Sequence, residues 1–290
     1  MKQKYCYCVA GHCFSVEAED SLLEKMKDYE PFRVEDSSSC LFDVRVDTTS
    51  HMEIKYEENF RHTEDLFTAI HGRTNDNQDV YHYYFEEKEF FWLVCEEGYQ
   101  FGKLTMTGLR PKLALDFALT IIFRHSTIQM MTTPIHSSVV SYQGKAYLFL
   151  GISGTGKSTH SKLWLEHFKG TELVNDDKPI IRIMDNGEVR VFGSPWSGKT
   201  RCYRNVSYPV GGIVKLNQAP YNKIRRLKPV EAYFVLLQSI SGKRWDDTVG
   251  DAMHKLEESI VKLVPMWHLE CLPNEDAAKL CKDTITINNK

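Results

Sequence analysis

The chain has 290 residues, enough for one large domain or two modest ones with a proper core. Its 36 Lys and Arg stand against 39 Asp and Glu, a net charge of −3, which supplies no basic field for nucleic acid. The apolar run from Leu113 to Phe123 is broken by Asp116 and is too short to span a bilayer, and no apolar signal core follows Met1-Lys2-Gln3-Lys4, so neither membrane insertion nor secretion is expected. The eight cysteines have no regular spacing and no paired C-x-x-C units, which fits reduced thiols and a cytoplasmic setting. Cys6, Cys8, His12 and Cys13 cluster, but their spacing is wrong for the common zinc pairs, and half-buried strand residues are the simpler reading.

Residues 1–108 read as a strand-rich α/β region. Strands are expected at Tyr5 to Val9, Leu41 to Val46, Met52 to Tyr56, Val80 to Phe85, Phe90 to Cys95 and Lys103 to Thr107. A short helix is expected from Ser21 to Tyr29, capped by Asp20 or Ser21, and Arg73 to Asp79 is turn material. His71 and His82 are isolated and read as surface or locally bonded residues. The aromatics from Tyr81 to Trp92 suit either a partner-binding face or a sheet core, and the core is preferred. Pro111 opens a long, apolar helix to about Met130. The boundary is placed near Gly108 to Pro111, which leaves 109–290 as a second domain.

In the second domain, Ile135 to Ser141 and Lys145 to Leu150 read as a hairpin turning at Gln143-Gly144. Gly151-Ile152-Ser153-Gly154-Thr155-Gly156-Lys157-Ser158 then matches the phosphate-loop pattern G-x-x-x-x-G-K-[ST]. Glycines let the backbone curl so that its N–H groups meet phosphate oxygens. Lys157 brings charge to the β/γ-phosphates, and the Ser158 hydroxyl suits Mg²⁺. A helix from Ser158 through Thr159 to Phe168 adds its N-terminal dipole. Glu172 to Asn175 is a short strand ending in Asp176-Asp177, where carboxylates can serve both a metal and a nucleophile. A further hairpin is expected around Asp185-Asn186-Gly187. The loop Gly193-Ser194-Pro195-Trp196-Ser197-Gly198-Lys199-Thr200-Arg201, with Arg204 close behind, carries cations suited to a phosphate or a substrate anion. The remainder reads as a strand at Val210 to Leu216, helices at Pro229 to Ile240 and from Asp246 or Asp247 to Leu263, a strand at Met266 to Cys271 and a helix opened by Pro273. Glu257 and Glu258 are assigned to a solvated face.

His136-Ser137-Ser138, the loop Gly151 to Ser158, and Asn175-Asp176-Asp177, in this order, resemble the catalytic domain of the HPr kinase/phosphorylase family. The signature is also similar to that of ATP-dependent phosphoenolpyruvate carboxykinase, whose S-G-T-G-K loop is even closer to Ser153 to Lys157. The resemblance covers about residues 130 to 200. It implies an α/β phosphate-loop domain with a mixed, largely antiparallel sheet, and it implies ATP and Mg²⁺ as cofactors. Gly151, Ser153, Gly154, Thr155, Gly156, Lys157, Ser158 and Thr159 would hold the nucleotide, with Lys199 and Arg201 reaching it from the later loop. Ser158 and Asp176 would ligate the metal. Asp177 would act as the base, with an exchange of roles between the two aspartates left open, and His136 would handle protons or touch the metal. The activity implied is phosphoryl transfer to a hydroxyl, with serine first, on a protein, peptide or small molecule. A nucleotide-binding regulator without transfer is the alternative, and a carboxykinase-type enzyme is third. The glycine-rich signature that HPr kinases carry after the aspartate pair is absent from the sequence.

Overall fold

The computed structural model describes residues 2–35, 39–48, 54–198 and 200–287. The chain is α/β with mixed, strand-rich sheets and divides into two compact units, Met1–Ser126 and Thr127–Lys290. The division falls after the helix opened by Pro111, not before it, because that helix is the one whose apolar side covers the first unit's sheet.

The first unit contains β1 (Lys2–Val9), β2 (His12–Glu19), α1 (Asp20–Leu23), β3 (Arg33–Val34), β4 (Phe42–Asp47), β5 (Glu57–Glu64), β6 (Phe67–Arg73), β7 (Asp79–Phe85), β8 (Lys88–Cys95), β9 (Phe101–Met106) and α2 (Pro111–Thr127). The strands form one sheet in the order β3-β1-β2-β4-β9-β8-β7-β6-β5, parallel only where β4 meets β2 and β9. Phe123 of α2 stands edge-on to both Phe14 and Phe42, which stack with centroids 4.9 Å apart. Tyr81, Phe85, Phe90 and Phe91 are buried, as a sheet core requires. His82 is locally bonded, its Nε2 lying 3.1 Å from Glu89 Oε1.

Several expectations need correction here. The helix expected over Ser21 to Tyr29 is a single α-turn followed by a 3₁₀ turn at Lys27–Phe32. Met26, Tyr29 and Phe32 are buried at a spacing of three, the period of a 3₁₀ helix rather than an α-helix. The residue capping α1 is Glu19, without a side-chain bond. Part of the strand expected at Met52 to Tyr56 lies outside the described residues, and Ile54 to Tyr56 are not in a strand. The thiol reading changes at one hairpin: the β1–β2 register sets Cys8 opposite Cys13, and the two form a disulfide.

The second unit contains β10 (Thr132–Pro134), β11 (Ser137–Tyr142), β12 (Lys145–Leu150), α3 (Lys157–His167), β13 (Glu172–Asp177), β14 (Ile180–Ile183), β15 (Val189–Phe192), β16 (Ser207–Gln218), β17 (Lys223–Arg226), α4 (Pro229–Ser239), α5 (Asp247–Leu263), β18 (Met266–Cys271) and α6 (Glu275–Ile287). Its sheet runs β10-β14-β15-β16-β12-β11-β13, and β18 pairs β16 while β17 pairs β18. Pairing is antiparallel except for β16 with β12 and with β18. Alternate residues of the strands feed two cores. Val139, Leu148 and Leu150 pack with Leu236, Met253 and Leu256 of α4 and α5. On the opposite face, Val140, Tyr147 and Phe149 pack with Trp164 of α3 and with Ala278, Cys281 and Ile285 of α6. The result is a three-layer unit with the sheet between two helix pairs. Glu257, assigned above to a solvated face, is fully buried, and Arg244 donates to both of its carboxylate oxygens. It shares the inward stripe of α5 with Met253, Leu256 and Ile260, so helical period outweighs its charge.

Candidate active site

β12 lies between β11 and β16 with helices over both faces, so Ala146 to Leu150 are all buried and the strand is rigid where it ends. Gly151 follows with φ 155°, and a Cβ there would come within 2.6 Å of Thr155 Oγ1. Gly154 and Gly156 hold φ of 82° and 97°, where a side chain would be strained. These three positions bend the chain into α3, whose first N–H groups have no carbonyl partner within the helix and are available to an anion.

His136, Ser153, Gly154, Gly156, Lys157, Ser158, Thr159, Asp176, Asp177 and Gly198 line one polar cleft of about 410 Å³. Lys157 Nζ donates to Gly151 O at 2.8 Å and Ile152 O at 3.2 Å. Burial pushes the Lys157 pKa down, against the opposing charges of Asp177 and Asp176. Ser158 Oγ donates to Asp176 Oδ1 at 2.8 Å. Successive strand residues face opposite ways, so Asp176 turns to α3 while Asp177 does not. Asp177 Oδ1 lies 3.5 Å from His136 Nε2, and its Oδ2 lies 3.1 Å from Lys178 Nζ. Asp177 sits at φ 146°, a conformation side chains rarely adopt. His136 is placed just ahead of β11, where its backbone N–H donates to Ser239 O.

Asn175 fixes the loop that follows β15. Its buried amide donates to Ser194 O, Ser194 Oγ and Trp196 O at 3.2–3.3 Å, while its Oδ1 accepts from the Lys178 N–H. Gly198 N then donates to Asp176 O at 2.6 Å, and Ser197 Oγ donates to the same carbonyl. A Cβ at Gly198 would lie 3.1 Å from Asp176 O and 3.3 Å from Asp177 Cβ, so the close approach suits glycine. Of the loop cations, Lys199 lies outside the described residues. Arg201 is exposed and is not among the residues lining the cleft. Arg204 is turned away, donating to Leu173 O and pairing with Glu172 at 2.7 Å.

Across the phosphate loop lies a second, larger cavity of about 710 Å³. It shares Gly154, Gly156 and Thr159 with the polar cleft and is walled by Leu163, Leu216, Leu272 and Pro273. Thr155 lines this side rather than the polar one, and its hydroxyl donates to Ile152 O. Gly151 shapes the loop without lining either space.

The donor set fits a nucleotide with magnesium. Among the described residues no group of three or more His, Cys, Asp or Glu gathers around a metal position. The Ser158 hydroxyl with the Asp176 carboxylate is a pair of hard oxygens, and Mg²⁺ characteristically takes one or two protein oxygens and completes its shell from phosphates and water. Sequence reasoning missed Lys178 and Gln218 and gave Asn175, Ser194 and Gly198 no specific task. These last three carried a signal, lying within the quoted Asn-Asp-Asp and the quoted loop Gly193 to Arg201. Compared with known proteins, the chain matches no protein-family model and no curated sequence. No helix among the described residues is long and apolar enough to cross a membrane.

Proposed function

We propose that this chain is an ATP-dependent kinase of the HPr kinase/phosphoenolpyruvate carboxykinase type, transferring the γ-phosphoryl group to a hydroxyl, with serine first, on a protein, peptide or small molecule. The observation that carries this reading is the convergence of Lys157, the Ser158–Asp176 pair and Asp177 on one cleft. The hairpin that leads into the loop supports the family type.

The chemistry follows from the placement. The loop N–H groups and Lys157 hold the phosphates and oppose the charge that builds on them. Ser158 and Asp176 would hold Mg²⁺, which neutralises phosphate charge when bound. The acceptor oxygen forms a bond to the γ-phosphorus as the bond to the β–γ bridging oxygen breaks. ADP leaves, and the hydroxyl proton passes to an Asp177 carboxylate oxygen. His136 and Lys178 hold that carboxylate from two sides. Those same contacts favour the second reading, a nucleotide-binding regulator in which Asp177 stays engaged and no transfer occurs.

The test uses γ-labelled ATP with Mg²⁺ and soluble host extract, comparing wild type with Lys157→Ala. A labelled acceptor that appears only with wild type supports the kinase. ATP binding without transfer to any acceptor or to water supports the regulator. Equal ATP affinity in both proteins removes the phosphate-loop reading altogether.

A further inference from the structure

The larger cavity beside the phosphate loop is mostly apolar, yet His160 and Gln218 line it together with the hydroxyl-bearing Thr155 and Thr159. His160 is 3 % exposed and sits on the first turn of α3. Its Nε2 accepts a hydrogen bond from the Trp164 indole N–H at 3.2 Å. An indole can only donate, so Nε2 must carry the lone pair, and in the neutral ring the proton sits on Nδ1. Nδ1 has no hydrogen-bond partner among the described residues. Gln218, at the end of β16, donates its Nε2 to Gly154 O at 3.1 Å. That bond turns Oε1 the other way, and Oε1 accepts from none of the described residues.

The cavity therefore offers one fixed donor and one fixed acceptor between apolar walls, and it adjoins the phosphate cleft through Gly154, Gly156 and Thr159. A volume of about 710 Å³ lies within the range of ordinary ligand pockets. We infer that this cavity is the base subsite of the nucleotide, that His160 Nδ1–H holds the purine N7, and that Gln218 Oε1 selects adenine over guanine. Adenine presents an N6 amino donor beside the N7 acceptor, matching Gln218 and His160 in turn. Guanine presents two acceptors, O6 and N7, on that edge, which sets O6 against the Gln218 oxygen. Leu163, Leu216 and Pro273 supply apolar surface for the ring. This inference rests on the nucleotide reading of the phosphate loop and adds the residues that read the base.

The experiment is calorimetric titration of wild type, His160→Leu and Gln218→Met with MgATP, MgGTP and magnesium tripolyphosphate. Wild type is expected to bind ATP about tenfold more tightly than GTP, the scale of one polar match against one mismatch. Gln218→Met is expected to bring the two nucleotides to within about threefold of each other, while His160→Leu is expected to weaken both by a similar factor, because both purines offer N7. Gln218→Met also loosens the Gly154 contact, but that weakens both nucleotides alike, so the ratio is the readout. Gln218 is exposed, which keeps the test available if His160→Leu does not fold. Wild-type affinities for ATP and GTP that already agree, a ratio unmoved in Gln218→Met, or affinities for both nucleotides unmoved in a folded His160→Leu overturn the base subsite. If ATP, GTP and tripolyphosphate bind equally, the base subsite falls and the phosphate loop stands. If none of the three binds, both fall.

Discussion

Ser158 Oγ and Asp176 Oδ1 lie 2.8 Å apart, joining the first turn of α3 to the end of β13. The hydroxyl and the carboxylate thus present two hard oxygens to one point at the edge of the phosphate cleft. Ser158→Ala and Asp176→Asn are each expected to weaken ATP binding in the presence of Mg²⁺ more than in EDTA. Titration in both conditions measures the difference. If both variants keep the wild-type dependence on Mg²⁺, the metal is held by other groups.

His160 makes stability depend on pH. Its ordinary value of 6.5 is pushed down to about 4 by burial. The folded state therefore resists the charged ring, while the unfolded chain takes the proton freely. The contribution is fully present above the unfolded value and is lost as pH falls from about 6.5 toward 4. The shift corresponds to about 3 kcal/mol over that window. Denaturant unfolding of wild type and His160→Leu between pH 7 and 4 is expected to show the stability difference between them shrinking as the pH falls. A difference that stays constant across the window removes His160 as the cause.

Asn175 is the anchor of the loop after β15, because its amide meets acceptors from Ser194 and Trp196 while its oxygen takes the Lys178 N–H. Asn175→Ala leaves those buried groups without their partner and is expected to cost about 2–4 kcal/mol, the scale of several orphaned buried hydrogen bonds. Asn175→Asp keeps the bond from Lys178 N–H but sets a carboxylate oxygen against the carbonyls of Ser194, Trp196 and Cys202, and is expected to cost at least as much as alanine. Denaturant midpoints of the three proteins decide it. A fully stable aspartate variant would show that the amide's donors do not hold the loop.

The parts of this site that were legible in sequence are the contiguous ones. Gly151 to Ser158 was legible as a tight glycine-bent turn into α3, because its glycines sit at fixed spacing on one stretch. The β11–β12 hairpin was legible from Gln143-Gly144, and both residues do hold positive φ, 50° and 78°. What was not legible depends on partners far along the chain. Asn175 reaches Ser194 and Trp196 across about twenty residues, and Gln218 reaches back to Gly154. Arg204 looked like a phosphate ligand, but pairing with Glu172 takes it elsewhere. β5 escaped notice because all eight of its residues are exposed, so no alternation of apolar and polar marks it. The β1–β2 disulfide follows from register, which cysteine spacing alone does not give.

The kinase reading stands or falls with Asp177. Phosphoryl transfer asks for an in-line hydroxyl, neutralised phosphate charge and an acceptor for the hydroxyl proton. Lys157 and the Ser158–Asp176 pair attend to the charge, which leaves Asp177 as the carboxylate of the cleft not bonded to Ser158. His136 and Lys178 keep it in place, and the neighbouring Gly198 leaves room beside it. Asp177→Asn keeps the size and branching of the side chain, so the backbone at φ 146° is not further strained. The amide cannot take the proton. ATP affinity is therefore expected to stay close to wild type, while transfer slows by about 10²–10⁴-fold, the usual effect of losing a general base. Calorimetry for binding and a γ-labelled assay for transfer are measured on the same preparation, with Asp176→Asn alongside. If Asp176→Asn loses transfer at unchanged affinity and metal dependence while Asp177→Asn loses the Mg²⁺ effect, the two carboxylates exchange roles. Unchanged turnover in Asp177→Asn removes it as the base.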